Sequence, residues 1–196
     1  MQPAGTISPG SATFHVKAIA ASPAKHEGSG IAHDLAKLDG RSMQRLLREV
    51  DDPRWRLSLA VSPDREGLQS RVSPAHLPRL AQGRGDLGDR MGRLLRGAPP
   101  GPVCIVGADI PGIRRSHIVR AFSALGRHEA VFGPAHDGGY WLVVLKRTGA
   151  VPATLFRGVR WSSRMALADT VDSLGDRRVG FVDTLRDVDT VADLRG

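Results

Sequence analysis

Two acidic residues stand where the chain must change direction. Asp109 lies in Gly107-Ala108-Asp109-Ile110-Pro111, directly after the apolar run Val103-Cys104-Ile105-Val106. Asp137 lies in Gly133-Pro134-Ala135-His136-Asp137-Gly138-Gly139-Tyr140-Trp141, which opens a second apolar run, Trp141 to Leu145. Short apolar runs beside Gly and Pro read as buried strands ending in turns. Carboxylates delivered to strand ends of an α/β domain are placed to hold metals, phosphates or sugars.

A carboxylate in the position of Asp109 is a hard oxygen ligand suited to Mg²⁺ or Mn²⁺, which commonly bridge to a diphosphate. A turn or capping aspartate explains it as well. Asp137 has the chemistry to bind a sugar hydroxyl, share a metal or accept a proton. An Asp-Gly hairpin turn is the plainer alternative. Gly138 and Gly139 open backbone angles closed to other residues and let a ligand approach the main chain. Tyr140 and Trp141 open a strand, so they point to opposite faces, one available to stack on a ligand while the other packs inside. His136 has the chemistry of a proton carrier, and an ordinary surface histidine is the plainer reading.

A third candidate is Gln82-Gly83-Arg84-Gly85-Asp86-Leu87-Gly88-Asp89-Arg90, a glycine-rich loop running into a helix. Helix starts offer unpaired N–H groups to anions or base edges. The loop lacks the Lys-Ser/Thr ending of a P-loop, and although Gly83, Gly85 and Gly88 fit Gly-x-Gly-x-x-Gly, no strand is expected to run into them. Asp187 and Asp189 share a side if extended, which permits a metal pair or a loop that caps the next helix through Thr190. No Gly-x-Ser-x-Gly elbow and no His-x-x-x-His pair occurs. The single cysteine, Cys104, sits inside an apolar strand, which keeps a thiol protonated and inert.

The elements that must position these groups alternate. Thr13–Ala21 reads as a strand. Leu35, Leu38, Met43, Leu46, Leu47 and Val50 fall at helical spacing, with Gly40 weakening the middle. Leu57–Val61 is a strand, and the stretch from there to Gln82, with Pro74 and Pro78, reads as irregular. Asp86 caps a helix carrying Leu87, Met91, Leu94 and Leu95, broken by Pro99-Pro100. Val103–Val106 is a strand, and Ser116 caps a helix with Ile118, Val119, Phe122 and Leu125 that Gly126 stops. Ala130–Phe132 and Trp141–Leu145 are strands, Ala166–Leu174 a helix, Arg178–Val182 a strand, and Thr190 opens a last helical turn. This alternation argues an α/β fold with a mostly parallel central sheet covered on both faces.

A chain of 196 residues suits one domain, taken as 13–196, with the Gly-, Pro- and Ser-rich residues 1–12 expected to be disordered. The net charge of +8 could attract phosphorylated ligands. The basic residues are scattered and aromatics make up only 5%, so no nucleic-acid surface is expected. No apolar run approaches the ~20 residues of a membrane span, and nothing at the start reads as a secretory signal, so the cytoplasm is the expected location.

Taken in order, the motifs resemble DUF2064, a family of small bacterial proteins similar to glycosyltransferases of GT-A type and to the nucleotidyltransferases that activate molybdopterin and phospholactate. The matching residues are Gln82-Gly83-x-Gly85-Asp86-Leu87-Gly88-x-Arg90-Met91, Gly107-x-Asp109-x-Pro111 and Gly133-Pro134-Ala135-x-Asp137-Gly138-Gly139-Tyr140. Leu155-Phe156-x-Gly158-Val159-x-Trp161-Ser162, Asp187-Val188-Asp189-Thr190 and Asp193-Leu194 complete the series. The resemblance implies a GT-A-like, Rossmann-like three-layer sandwich, a nucleotide-diphosphate sugar donor, an unidentified acceptor, and Mg²⁺ or Mn²⁺. It implies Asp109 as metal ligand and Asp137 and Tyr140 as catalytic residues. Gln82, Gly83, Asp86, Leu87, Gly138, Gly139 and Trp161 are the implied substrate contacts.

One departure matters. The family's first strand runs into a basic loop, Ala-Lys-x-Pro-x-x-Gly-x-x-Lys-Thr-Arg-Leu, where this chain reads Ala20-Ala21-Ser22-Pro23-Ala24-Lys25-His26-Glu27-Gly28. The Lys-Thr-Arg triplet is missing and Lys25 is the residue left to contact the donor. Charge-assisted hydrogen bonds are worth ~1.5–3 kcal/mol each. Three activities follow: glycosyl transfer, nucleotidyl transfer on the same fold, or ligand binding by a catalytically impaired descendant.

Overall fold

The computed structural model describes residues 14–20, 40–62, 64–69, 76–107, 110 and 112–185. The N-terminal tail, Leu35, Leu38, the loop with Lys25, Asp109, the pair Asp187 and Asp189, and the turn at Thr190 lie outside the described residues.

Among the described residues seven strands form one sheet in the order β3-β2-β1-β4-β6-β5-β7. They are β1 (Phe14–Ala20), β2 (Trp55–Val61), β3 (Arg79–Ala81), β4 (Val103–Gly107), β5 (Ala130–Pro134), β6 (Tyr140–Leu145) and β7 (Val179–Phe181). The described helices between them are α1 (Gly40–Val50), α2 (Asp64–Gln69), α3 (Leu87–Arg96), α4 (Arg115–Ala124) and α5 (Ala166–Asp172). The sheet is mixed. Strand β6 runs antiparallel to both β4 and β5, while β1 with β2, β1 with β4, β2 with β3 and β5 with β7 pair in parallel. The hairpin between β5 and β6 sets this reversal, since so short a connection cannot make a parallel crossover.

The apolar runs are continuous because both faces of the sheet are covered. Cys104 and Val106 of β4 and Leu142 and Val144 of β6 join α1 and α4 in one core cluster. Val103, Ile105, Val143 and Leu145 join α3 and the segment around Leu155 and Phe156 in another. Period-two alternation therefore separates two apolar layers. Cys104 is wholly buried, and desolvation pushes its thiol far above the usual range, as an inert core group requires.

Asp86 caps α3 as expected, in a reciprocal box: Asp89 N donates to Asp86 Oδ1 at 2.8 Å and Asp86 N to Asp89 Oδ2 at 3.2 Å. Ser116 does not cap α4. The helix begins one residue earlier, and Arg114 N donates to His117 Nδ1 at 3.0 Å. The stretch after β2 is also more regular than its prolines suggest. It holds α2 and the short edge strand β3, which Pro78 enters by accepting Leu59 N at 2.9 Å.

The buried Asp52 ties the turn between α1 and β2 to the start of α4. It accepts Arg54 Nε at 2.8 Å and Nη2 at 2.9 Å, with Arg115 Nε 3.3 Å away. Hydrogen bonds from Arg54 hold its carboxyl at about 2, although desolvation opposes them.

Candidate active site at the strand ends

The motif loops meet along one edge of the sheet. By register Ala20 lies beside Val61, Val61 beside Ala81, and Ile19 beside Gly107. Strands β1, β2, β3 and β4 therefore finish together. Strand β6 begins on the same edge, since Val106 pairs with Leu142 and Pro134 with Tyr140. The strand that leads to Asp109 and the turn that carries Asp137 thus open on the same side.

On one flank, β3 runs straight into Gln82-Gly83, so the glycine-rich loop does follow a strand. That strand escaped the sequence because it is three residues long. Gln82 is 1% exposed and spends its amide on Ala60 O at 3.0 Å. Its side chain thus braces β2. Gly83 has φ of +77°, and Gly83 N donates to Asp64 Oδ1 at 3.1 Å. Two arginines of α3 fold back onto the loop: Arg93 donates to Gln82 O and, at 2.9 Å, to Arg84 O, while Arg90 Nε donates to Gly85 O at 3.0 Å. These hydrogen bonds set the loop in place. Leu87 is exposed at its rim.

On the other flank, Asp137 is exposed at the tip of the β5–β6 hairpin. Its Oδ1 accepts Gly139 N at 2.8 Å, and Ala135 N donates to Gly139 O at 3.0 Å. Gly138, at φ +91°, lies against the backbone of Arg164, and its carbonyl accepts Leu167 N at 3.0 Å. The double glycine therefore docks the hairpin on the start of α5.

Trp141 and Tyr140 do point to opposite faces, but both pack inside. Trp141 is buried and Nε1 donates to Asp183 O at 2.9 Å. The catalytic expectation for Tyr140 meets a correction. Its ring packs on Phe132 and Trp161 at centroid distances of 5.2 and 6.5 Å, and its hydroxyl lies 3.4 Å from Thr170 Oγ1. Burial pushes the phenol well above its usual range, and its hydroxyl is turned to Thr170 inside the core. Trp161 also touches Phe156, at 6.0 Å between centroids, and its buried Nε1 has no hydrogen-bond partner among the described residues. Tyr140 and Trp161 form the aromatic joint between the two flanks.

Among the described residues no group of three or more His, Cys, Asp or Glu side chains gathers to hold a metal ion. Asp137 offers one exposed carboxylate on the edge that β4 leaves toward Asp109, so the described donors alone make no metal cage. A polar groove beside the site runs between Asp86 and Asp89 of the capping box and Phe156, Arg157 and Gly158. Another groove, with Arg56, Leu57, His76 and Pro78, lies at the far end of β2 and contains none of the motif residues. No described helix is long and apolar enough to cross a membrane.

Residues 46–163 match a family described as an uncharacterized protein conserved in bacteria, DUF2064. That span is more than half of the chain. The chain belongs to the DUF2064 family. No curated protein matches this DUF2064 member in sequence. Its fold is similar to that of a candidate nucleotide-diphospho-sugar transferase from Desulfovibrio desulfuricans, with TM-score 0.73, 24% identity, and 94% of this chain and 85% of that one covered. A 4-diphosphocytidyl-2C-methyl-D-erythritol synthase from Anaerococcus prevotii gives TM-score 0.60 and 13% identity over 93% of each chain. The Rv0371c protein of Mycobacterium tuberculosis, in complex with manganese, gives 0.56 and 16% over 94% of this chain and 97% of that one. At these identities the likeness is one of fold.

Proposed function

We propose that this DUF2064 member is a metal-dependent glycosyltransferase that takes a nucleotide-diphosphate sugar as donor, built on a single GT-A-like domain. The observation that carries the reading is the convergence on one sheet edge of the Gln82–Asp86 loop, the exit of β4 toward Asp109 and the Asp137 turn. A divalent cation held by Asp109 would neutralise charge developing on the leaving diphosphate. The chain's own contribution is placement. Gly83 to Leu87 border the nucleotide on one flank, and on the other Gly139 lets the sugar approach the backbone, while Gly138, expected to share that role, is covered by Arg164. Asp137 keeps Oδ1 on Gly139 N, which leaves Oδ2 to orient the acceptor hydroxyl or take its proton as the glycosidic bond forms and the bond from sugar to diphosphate breaks. The likeness to a manganese-bound protein of the same fold supports the metal.

A thermal-shift screen with UDP- and GDP-sugars, with and without Mn²⁺, tests this. A Mn²⁺-dependent rise in Tm that Asp109→Ala abolishes is the expected result. No shift from any donor overturns it. The second reading, nucleotidyl transfer, is favoured by the fold shared with the erythritol synthase. Release of pyrophosphate from a nucleoside triphosphate, with no turnover of nucleotide sugars, would select it.

A further inference from the structure

Among the described residues three arginines are half-buried: Arg79, Arg90 and Arg147. Arg147 has a buried Nε without a partner among the described residues, but both its Nη groups are taken by the carbonyls of Ala98, Pro99 and Gly101. Arg79 donates to Leu68 O at 2.9 Å and has a further partner. Arg90 differs. Its Nε donates to Gly85 O at 3.0 Å and one Nη1 proton reaches Ser62 Oγ at 3.4 Å, a weak bond. Both Nη2 protons and the second Nη1 proton have no partner among the described residues. The carboxylates nearby are committed elsewhere: Asp64 to Gly83 N, Asp86 and Asp89 to each other's backbone. More exposed arginines are paired, Arg54 and Arg115 with Asp52, Arg120 with Asp183 and Arg160 with Asp169.

Nη2 of Arg90 is not among the buried atoms without a partner, so its protons are open to solvent and to an anion that reaches this point. Its place is informative too. Ser62 directly follows Val61, whose register partner Ala20 ends β1, and Gly85 lies in the loop after β3. The side chain is held by Gly85 O at Nε, which leaves the Nη edge of the fork, the part that matches phosphate oxygens, toward the strand ends. We propose that Arg90 grips the diphosphate of the nucleotide. This rests on the transferase reading above and adds to it the residue that selects a phosphorylated ligand.

Calorimetric titration of the full-length protein with UDP, GDP and CDP in Mn²⁺, each beside its own nucleoside, tests the inference. At least one diphosphate is expected to bind. Arg90→Gln should weaken that diphosphate by about tenfold to a hundredfold, the worth of a charge-assisted hydrogen bond, and leave the nucleoside unaffected. Wild-type diphosphate affinity in a folded Arg90→Gln variant overturns the inference and leaves the transferase reading standing. If no diphosphate binds the unaltered protein, both fall. Should Arg90→Gln fail to fold, Arg90→Lys keeps the charge and loses the fork. Its diphosphate-to-nucleoside affinity ratio is expected to drop by at least about threefold, and an unchanged ratio overturns the inference.

Discussion

Gly88, in the first turn of α3, lies flat against Trp161. A Cβ added at Gly88 would stand 2.9 Å from Trp161 Cζ2 and 2.8 Å from Phe156 Cβ. This contact seats the glycine-rich loop on the aromatic joint that leads through Tyr140 to the Asp137 hairpin.

Gly88→Ala sets two effects in opposition. Helix propensity favours alanine by up to about 1 kcal/mol. Overpacking against a Cβ and a ring costs about 1–3 kcal/mol, and Phe156 Cβ is too close to its backbone to yield. The expected outcome is a net loss of about 1–2 kcal/mol in urea denaturation. A variant as stable as the parent would mean that α3 slides freely on Trp161.

The two glycines of the hairpin should separate. In Gly138→Ala the new Cβ meets Arg164 Cα at 2.5 Å from a residue at φ +91°. Left-handed strain alone costs about 1–2 kcal/mol, and a rigid backbone clash adds to it. In Gly139→Ala the nearest atom is Asp137 Oδ1 at 3.1 Å, at the end of a side chain that can turn away. Calorimetric unfolding should rank Gly138→Ala well below Gly139→Ala. Equal losses would show that α5 does not hold the hairpin.

Tyr140→Phe should leave turnover within a few-fold of the parent, because the hydroxyl only approaches Thr170 at 3.4 Å inside the core. Loss of a general acid or base would lower the rate by about 10²–10⁴. A fall of that size in steady-state assays would restore Tyr140 to the chemistry.

Asp52 should govern part of the acid response. Hydrogen bonds from Arg54 lower its folded value from 3.8 to about 2. A lowered carboxylate stabilises the fold fully above its unfolded value, and that contribution is lost as pH falls toward 2. Stability measured from pH 5 to 2 should therefore decline in this window, and Asp52→Asn should flatten the slope. At neutral pH the same variant should cost about 1–3 kcal/mol, through charge-assisted bonds to a buried group. A slope unchanged in Asp52→Asn would assign acid sensitivity elsewhere.

Particular residues show what could be read from the chain and what could not. Asp86 was legible as a cap because it precedes an apolar helical stripe and its partner Asp89 is local. Strand β3 was not, because three residues beside Pro78 carry no periodicity and gain their pairing only from β2. Gly138 was legible as a special conformation, while the reason for it, the backbone of Arg164, lies far along the chain. Gln82 and Tyr140 stood out by their neighbours in sequence, yet their polar atoms turn to Ala60 and Thr170 inside the fold.

The order of strands and helices apart from α2 and β3, the burial of the Val103–Val106 run, the family and the neighbouring motifs were written in the sequence. Local periodicity encodes which face of an element is apolar, and turn residues encode where it stops. The antiparallel insertion of β6, the meeting of the motif loops on one sheet edge, the inward turn of Gln82 and Tyr140, and the unmatched charge of Arg90 belong to the tertiary structure alone. Each depends on a partner distant in sequence, and no pattern within one segment records which carbonyl, ring or carboxylate will lie opposite it.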